Sequence, residues 1–448
     1  MPILTHRLGI LAAAGAMAVF FAPRPVYGFW LVNVGVVLLA AVDWLLTVSP
    51  RRLEIEREMP AVVALDTTAE VVWRVRNPSR RRVHLHIADE LVPSLRPTSR
   101  RASMTVPRGA RATARTQINP SRRGLFTLHR ITVRTEGPIR LAGRQRTLEL
   151  AGALRVYPPF RSRREAELRM DRNRQLQVGL RAAQGRGGGT EFDSLREYGI
   201  DDEFRRIDWA ATARARKPIV RTYRAERNQT VLVLLDTGRT MAGRVALSAE
   251  VSEAAVGNTD SIPRLDHAMD AVMMMTAVAT RLGDRTGLVC FGDRVRAVVP
   301  PHTGRHQLSA VTDAMYQLEP QLAESDYRGA FADTLTRFRR RALLVVLTEL
   351  ASQALPETLI PALPMVVRTH LVVIAAVRDP EVEYWARQVP TEAATAFRKA
   401  AAVQALDQRT RTISWLRSLG AVVVDALPGR LAPELADAYL NVKATGRL

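Results

Sequence analysis

The sequence predicts a multidomain protein: an N-terminal transmembrane helical hairpin over 1–50, an all-β, sandwich-like module over 51–157, a linker over 158–228 and a C-terminal α/β, Rossmann-like domain over 229–448. Three observations predict it. Two apolar runs fill the first fifty residues, period-two alternation with recurrent turn residues follows them, and from 229 onward short apolar runs alternate with helical patterns. A chain of 448 residues also exceeds one ordinary domain.

The hairpin comes first. Leu8–Phe21 is an unbroken run of apolar and small residues, Pro23-Arg24-Pro25 interrupts it, and Val26–Val48 is a second run with Asn33 and Asp43 as its strongly polar members. A span needs roughly 20 apolar residues, which the second run supplies and the first barely approaches. Trp30 and Trp44 lie near the ends of the second run, at the depth where interfacial aromatics are favoured. A signal peptide is the rival reading of the first run, but no small-x-small cleavage site follows it. Arg7 on one side and Arg51, Arg52 and Arg57 on the other outweigh Arg24, which places both ends in the cytoplasm.

Charge is unevenly distributed. The net charge is +21, from 65 basic and 44 acidic residues, with lysine only at 217, 399 and 443. Residues 51–150 hold 21 arginines against 9 acids, 151–228 hold 18 basic residues against 11 acids, and the remainder is close to neutral. The basic field therefore follows the hairpin directly, where anionic lipid headgroups attract arginines by about 1 kcal/mol each. Nucleic acid is not an expected partner, because no stacking-aromatic platform accompanies the basic stretch. A single cysteine, Cys290, excludes a disulfide framework and a cysteine zinc site.

In the β module, Val71–Arg76 alternates and ends at the turn Asn77-Pro78-Ser79, and Val83–Ile87 and Ile131–Arg134 alternate as well. About seven short strands suggest a sandwich serving as a spacer or binding platform. His84 and His86 share one strand face as exposed histidines, or as two metal ligands short of a third.

The linker opens with the charged stretch Arg161–Arg174 and a glycine-rich run, Gln184–Gly189, that lacks the Gly-Lys-Ser/Thr ending of a phosphate cradle. Glu191-Phe192-Asp193-Ser194-Leu195-Arg196-Glu197-Tyr198, Asp201-Asp202-Glu203 and Arg205-Arg206-Ile207-Asp208-Trp209 follow. Carboxylates, arginines and aromatics are interleaved too closely to avoid one another. The favoured expectation is an arginine–carboxylate network that packs the linker onto the next domain, with Phe192, Tyr198 and Trp209 as anchors. The sharper one is a metal or acid/base site built on Asp201, Asp202 and Asp208. The residues that carry this stretch are Glu191, Phe192, Arg196, Tyr198, Asp202, Arg206, Asp208 and Trp209.

In the last domain, strands read at Val231–Leu235, Thr286–Phe291, Ala342–Leu347, Leu371–Ala375 and Ala421–Val424, with helices at Leu265–Arg281, Gln307–Leu318, Tyr327–Arg340 and Ala394–Leu419. The alternation predicts a parallel sheet covered on both faces, with ligands at the C-terminal strand ends, where Asp236 stands.

Asp236-Thr237-Gly238-Arg239-Thr240-Met241 resembles the Asp-x-Ser-x-Ser metal loop of von Willebrand factor A domains, and Gly283–Phe291 resembles their next strand. With Glu191–Trp209, the whole chain resembles the bacterial domain-of-unknown-function family fifty-eight, of which Arg205-Arg206-Ile207-Asp208-Trp209 is the most diagnostic element. The family's Gly-Asp-Asp is here Asp201-Asp202-Glu203. The resemblance implies a Mg²⁺ site at Asp236, Thr240, Asp326 and Glu349, degenerate because Gly238 removes the middle hydroxyl, so that the metal is bound weakly or not at all. It further implies a protein of the bacterial cytoplasmic membrane, facing the cytoplasm, that works with a MoxR-type AAA+ ATPase in assembly or maturation of other proteins. No catalytic residue is assigned under this non-catalytic, scaffold reading. The alternative is a metal-dependent hydrolase using Asp236 with Asp202 or Asp208. An aspartyl-phosphate hydrolase is rejected because Gly238 cannot act as general acid/base.

Overall fold

The structure, a computed structural model, describes residues 2–20, 25–168, 191–199, 202, 204–224, 229–246, 261–351 and 354–445, with backbone alone at 25, 191–193, 206 and 222–224. Pro23-Arg24, Arg169–Arg174, Gln184–Gly189, Asp201 and Glu203 lie outside the described residues. The chain divides into two compact units, Met1–Tyr157 and Pro158–Leu448.

One long apolar helix precedes a β-rich body in the first unit. Helix α1 (His6–Phe20) has 15 residues and α2 (Pro25–Leu46) has 22, about 22 Å and 33 Å at 1.5 Å per residue. A bilayer core is about 30 Å thick. Of the two expected spans, then, only the second has spanning length; Val26–Arg52 is the one stretch among the described residues long and apolar enough. Leu31, Val37, Leu38 and Leu45 of α2 are each 60% or more exposed. The helices pack closely at Gly15, where a Cβ would come within 2.5 Å of Val32 Cγ1.

The β body consists of two sheets. Strands β1 (Pro2–Leu4), β2 (Glu54–Glu58), β3 (Val62–Ala64), β4 (Ala69–Arg76), β5 (Val83–Asp89), β6 (Arg101–Val106), β7 (Arg111–Ile118), β8 (Gly124–Glu136) and β9 (Ala142–Tyr157) are arranged as β1-β9-β8-β5-β6, with β3 on β9, and as β2-β4-β7. Alternation explains the layering: Val71, Trp73 and Val75 point inward from β4, and Val83, Leu85 and Ile87 from β5, all at 1% exposure or less. Trp73 donates its indole N–H to Asp89 Oδ2 (2.6 Å), and Arg57 pairs with the same carboxylate at 2.6 and 2.9 Å. Arg57 also donates to the Leu150 carbonyl at 3.0 Å, so this buried pair is hydrogen-bonded beyond itself, the condition under which burying charge is tolerable.

In the second unit, β10 (Glu191–Glu197) and β11 (Ile219–Arg224) form a two-stranded antiparallel sheet around α3 (Trp209–Ala215). A six-stranded sheet follows. Its strands are β12 (Thr230–Asp236), β15 (Arg285–Phe291), β16 (Val295–His302), β17 (Leu343–Leu347), β18 (Leu371–Val377) and β19 (Val422–Ala426), in the order β16-β15-β12-β17-β18-β19; β13 (Arg244–Ala246) pairs separately with β14 (Ser261–Pro263). All pairings in the large sheet are parallel except the edge strand β16 on β15. Val231–Leu235 are at most 1% exposed, as expected where both faces are covered. The helices are α4 (Arg264–Arg281), α5 (His306–Met315), α6 (Tyr327–Arg337), α7 (Leu355–Ala362), α8 (Pro364–Val367), α9 (Pro380–Arg387), α10 (Ala393–Ser418) and α11 (Leu431–Ala444). One core layer packs α4, α5 and α11 on one face of the sheet, and a second packs α6, α7 and α8 on the other. The chain moves outward from β12 to β15 and β16 and then returns to β17, so the strand order reverses beside Asp236.

Candidate functional site

Asp236 ends β12 with its side chain fully buried. Oδ1 accepts from the Gly238 amide (2.8 Å) and the Ser325 hydroxyl (2.5 Å); Oδ2 accepts from the hydroxyls of Tyr327 (2.9 Å) and Thr348 (2.7 Å). A carboxylate offers about four lone-pair sites, and all four are taken. Tyr327 and Thr348 also lie 2.8 Å apart. Burial, and then the nearby Asp236 charge, pushes the Tyr327 phenol well above its ordinary value, so it remains a donor. The loop itself is stapled to its neighbours: Thr237 donates its amide to the Phe291 carbonyl (2.7 Å), and Arg239 donates its amide to the Ala323 carbonyl (2.9 Å).

Gly238 has a steric role here. A Cβ on it would lie 2.0 Å from Ser325 Oγ, so the Ser325 hydroxyl fills the space that a side chain at 238 would enter.

Of the residues expected to hold Mg²⁺, the structure leaves three apart from this cluster. Thr240 lies half-buried in a short 3₁₀ turn, Arg239–Ala242. Asp326 caps α6 by accepting from the Gly329 amide (2.9 Å). Glu349 is buried with Arg409, accepts the amides of Leu350 and Ala351 at 2.9 and 2.8 Å, and has Arg264 Nε 2.7 Å from its other oxygen. Arg409 continues to Asp425 (2.6 Å). Among the described residues, no three His, Cys, Asp or Glu side chains are placed to hold a metal ion. Of the four expected ligands, Asp236 alone belongs to the hydroxyl cluster; the other oxygens around it come from Ser325, Tyr327 and Thr348. The flanking residues Ser325, Tyr327 and Thr348 make the cluster instead; a hydroxyl beside each expected carboxylate was the available signal.

In the β10–β11 module, Glu191 and Phe192 lie in register with Arg224 and Tyr223, and Arg206 closes the turn Phe204–Arg206. Arg196 grips Asp202 at 2.7 and 2.5 Å, and Asp202 also accepts the Gly199 amide (2.8 Å). Asp208 caps α3 through the Ala211 amide (3.0 Å) and pairs with Arg221 (2.7 Å). These two contacts, the amide first, hold its carboxyl below the ordinary range. Half-buried Tyr198 donates its backbone amide to the Pro218 carbonyl. Trp209, expected as an anchor, is 61% exposed and meets Phe204, itself 67% exposed, edge-to-face at 5.6 Å.

Other reactive groups are quiet. Burial pushes the Cys290 thiol up to about 12, which disarms it as a nucleophile. His302 and His306 are exposed. His84 meets Thr105 and Arg140, and His86 meets Glu136.

A family model described as "Protein of unknown function DUF58" matches residues 194–391. Uncharacterized proteins of Mycobacterium bovis and Mycobacterium tuberculosis are 28% identical over 198 residues, covering 43% of this chain and 56% of each relative. The chain thus matches just over half the length of those relatives. Among solved structures, the CARDB domain of PF1109 from Pyrococcus furiosus, in solution and as a crystal with di-metal ions, is similar at 13% and 12% identity. The matches cover 23% of this chain and 94% and 91% of that domain, with a TM-score of 0.16, a level at which no likeness of fold is inferred.

Proposed function

We propose that this chain is a membrane-anchored, non-catalytic docking protein whose soluble units face the bacterial cytoplasm and receive a MoxR-type AAA+ ATPase. The observation that carries this reading is the exposed Phe204–Trp209 pair on a module in which Asp202 and Asp208 are each held by an arginine and an amide and Glu197 by Lys217. Exposed aromatics beside arginines are the residue types on which protein interfaces concentrate their energy.

In this reading, the large sheet is a von Willebrand factor A-like domain. Its strand order and the position of Asp236 at the reversal support that assignment. Its loop edge offers a second contact in Leu322, 83% exposed and next to Ala323, whose carbonyl receives the Arg239 amide. The hydrolase alternative gains no support from the geometry, since Asp202, Asp208 and Asp236 are each committed to neighbouring donors.

Co-purification of the full chain with the ATPase tests the reading. Replacing Phe204 and Trp209 together by serine is expected to lower capture about 30-fold, the cost of losing a hot spot. Loss of capture in Leu322→Ser alone would move the contact to the Asp236 edge. No capture by the native chain would end the ATPase assignment.

A further inference from the structure

We propose that arginines at the foot of the helix pair bind the phosphate of an anionic membrane lipid. The proposal rests on the reading that α2 lies in a membrane, and it begins from Asp43. This carboxylate, on the last turn of α2, is fully buried and accepts the amides of Ile139 (2.8 Å), Leu141 (2.8 Å) and Ala142 (2.9 Å). It thereby holds the β8–β9 turn, where Gly137 leaves room for it: a Cβ there would meet Asp43 Oδ1 at 2.3 Å. From the residue that precedes α1, Thr5 donates its amide to the Leu141 carbonyl (3.1 Å) and its hydroxyl to the Arg140 carbonyl (2.5 Å). Arg140 is pinned between them with a left-handed backbone (φ 63°), a conformation a non-glycine residue keeps only when its surroundings enforce it.

The pinned arginine points at His84, its Nη2 2.8 Å from Nδ1. Arg82 and Arg7 also act on that imidazole, and burial together with these three cations depresses its proton affinity. Glu136 opposes them, and Glu136 is shared with His86 at 3.2 Å. Further round the foot, Arg144 stacks on Trp44 (4.6 Å to the ring centroid), and Arg81 donates to the Leu46 carbonyl at the end of α2 (3.0 Å). Guanidinium groups from α1 (Arg7), the segment before β5 (Arg81 and Arg82), β9 (Arg144) and the β8–β9 turn (Arg140) therefore converge at the level where the exposed apolar surface of α2 ends. Arg140, Arg82 and Arg7 outweigh Glu136 here, so the net field is positive and favours an anion. Its place beside Trp44, at headgroup depth, identifies the anion as a lipid phosphate rather than a free one.

The full chain would be placed in nanodiscs of phosphatidylcholine, with and without phosphatidylglycerol, and the retained lipid counted by native mass spectrometry. Native protein is expected to retain phosphatidylglycerol preferentially. Arg82→Gln with Arg140→Gln is expected to reduce that retention about 30-fold at an unchanged thermal midpoint; Arg82→Gln alone, at an exposed position, is expected to reduce it in part. Equal retention of both lipids, or of phosphatidylglycerol by native and variant proteins, would overturn the proposal. So would displacement of the lipid by inorganic phosphate, which would mark a free-anion site. Failure to enter neutral nanodiscs would instead overturn the membrane reading itself.

Discussion

Two aspartates end apolar elements in this chain, and both are fully buried: Asp43 near the end of α2 and Asp236 at the end of β12. Neither uses an arginine. Asp43 is satisfied by three backbone amides, Asp236 by three hydroxyls and one amide. Both staple loops that are distant in sequence, 96 residues away for Ile139 and 112 for Thr348. The difference lies in the donors. An amide N–H can only donate, whereas a hydroxyl can turn round and accept. The Asp43 site therefore demands an anion or a pure acceptor, and the Asp236 site only requires a polar group.

The largest effect that would test this contrast is Asp43→Asn. The amide nitrogen of asparagine would face at least one of the three N–H donors, leaving buried groups unpaired at roughly 1–3 kcal/mol each. A loss of about 3 kcal/mol is expected, read as a lowered thermal midpoint and new proteolytic cleavage near Arg140. A variant as stable as the native chain would show that the β8–β9 turn does not depend on this carboxylate.

Next in size is Gly238→Ser. The added Cβ would approach Ser325 Oγ within 2.0 Å, and such crowding costs about 1–3 kcal/mol. The double variant Gly238→Ser with Ser325→Ala should recover most of the loss, because the new hydroxyl can take over the bond to Asp236. If the double variant is no better than the single, Ser325 does not occupy the place of the missing hydroxyl.

Much of this contrast was hidden in the sequence, for a physical reason. Apolar runs reveal elements, so Val231–Leu235 and Leu371–Ala375 fall in strands, and all of Val26–Val48 but its last two residues in a long helix. The edge strand β16 contains Pro300 and Pro301, which obscure its pattern and are tolerated because it lies at an edge. Side-chain partners are set by loop conformation instead. One residue of displacement separates the expected Asp326 and Glu349 from the observed Ser325 and Thr348, and no periodicity encodes which of two neighbours turns inward. Arg409 meets Glu349 from 60 residues away; its only local sign was its position on the buried stripe Ala402, Arg409, Thr412 and Leu416 of α10. Trp209 misled in the opposite direction, since a large aromatic is by default an anchor, and here it faces solvent.

The smallest expected effect is also the sharpest test: Asp236→Asn. Its retained oxygen can still accept from two of the donors, and its new NH₂ can donate to the oxygens of Tyr327 and Thr348. Those hydroxyls lie 2.8 Å apart and can reorient their protons to suit. The network would lose its charge but not its connectivity, and a hydrogen bond to a charged group is stronger than a neutral one by about 1 kcal/mol. A loss of about 1 kcal/mol is therefore expected, well below that of Asp43→Asn measured by thermal unfolding of the same full-length protein. A loss of equal size at both positions would break the comparison and assign Asp236 a role that requires its negative charge. Cation binding would then be the first such role to measure, by titrating Mg²⁺ into the native chain and the variant.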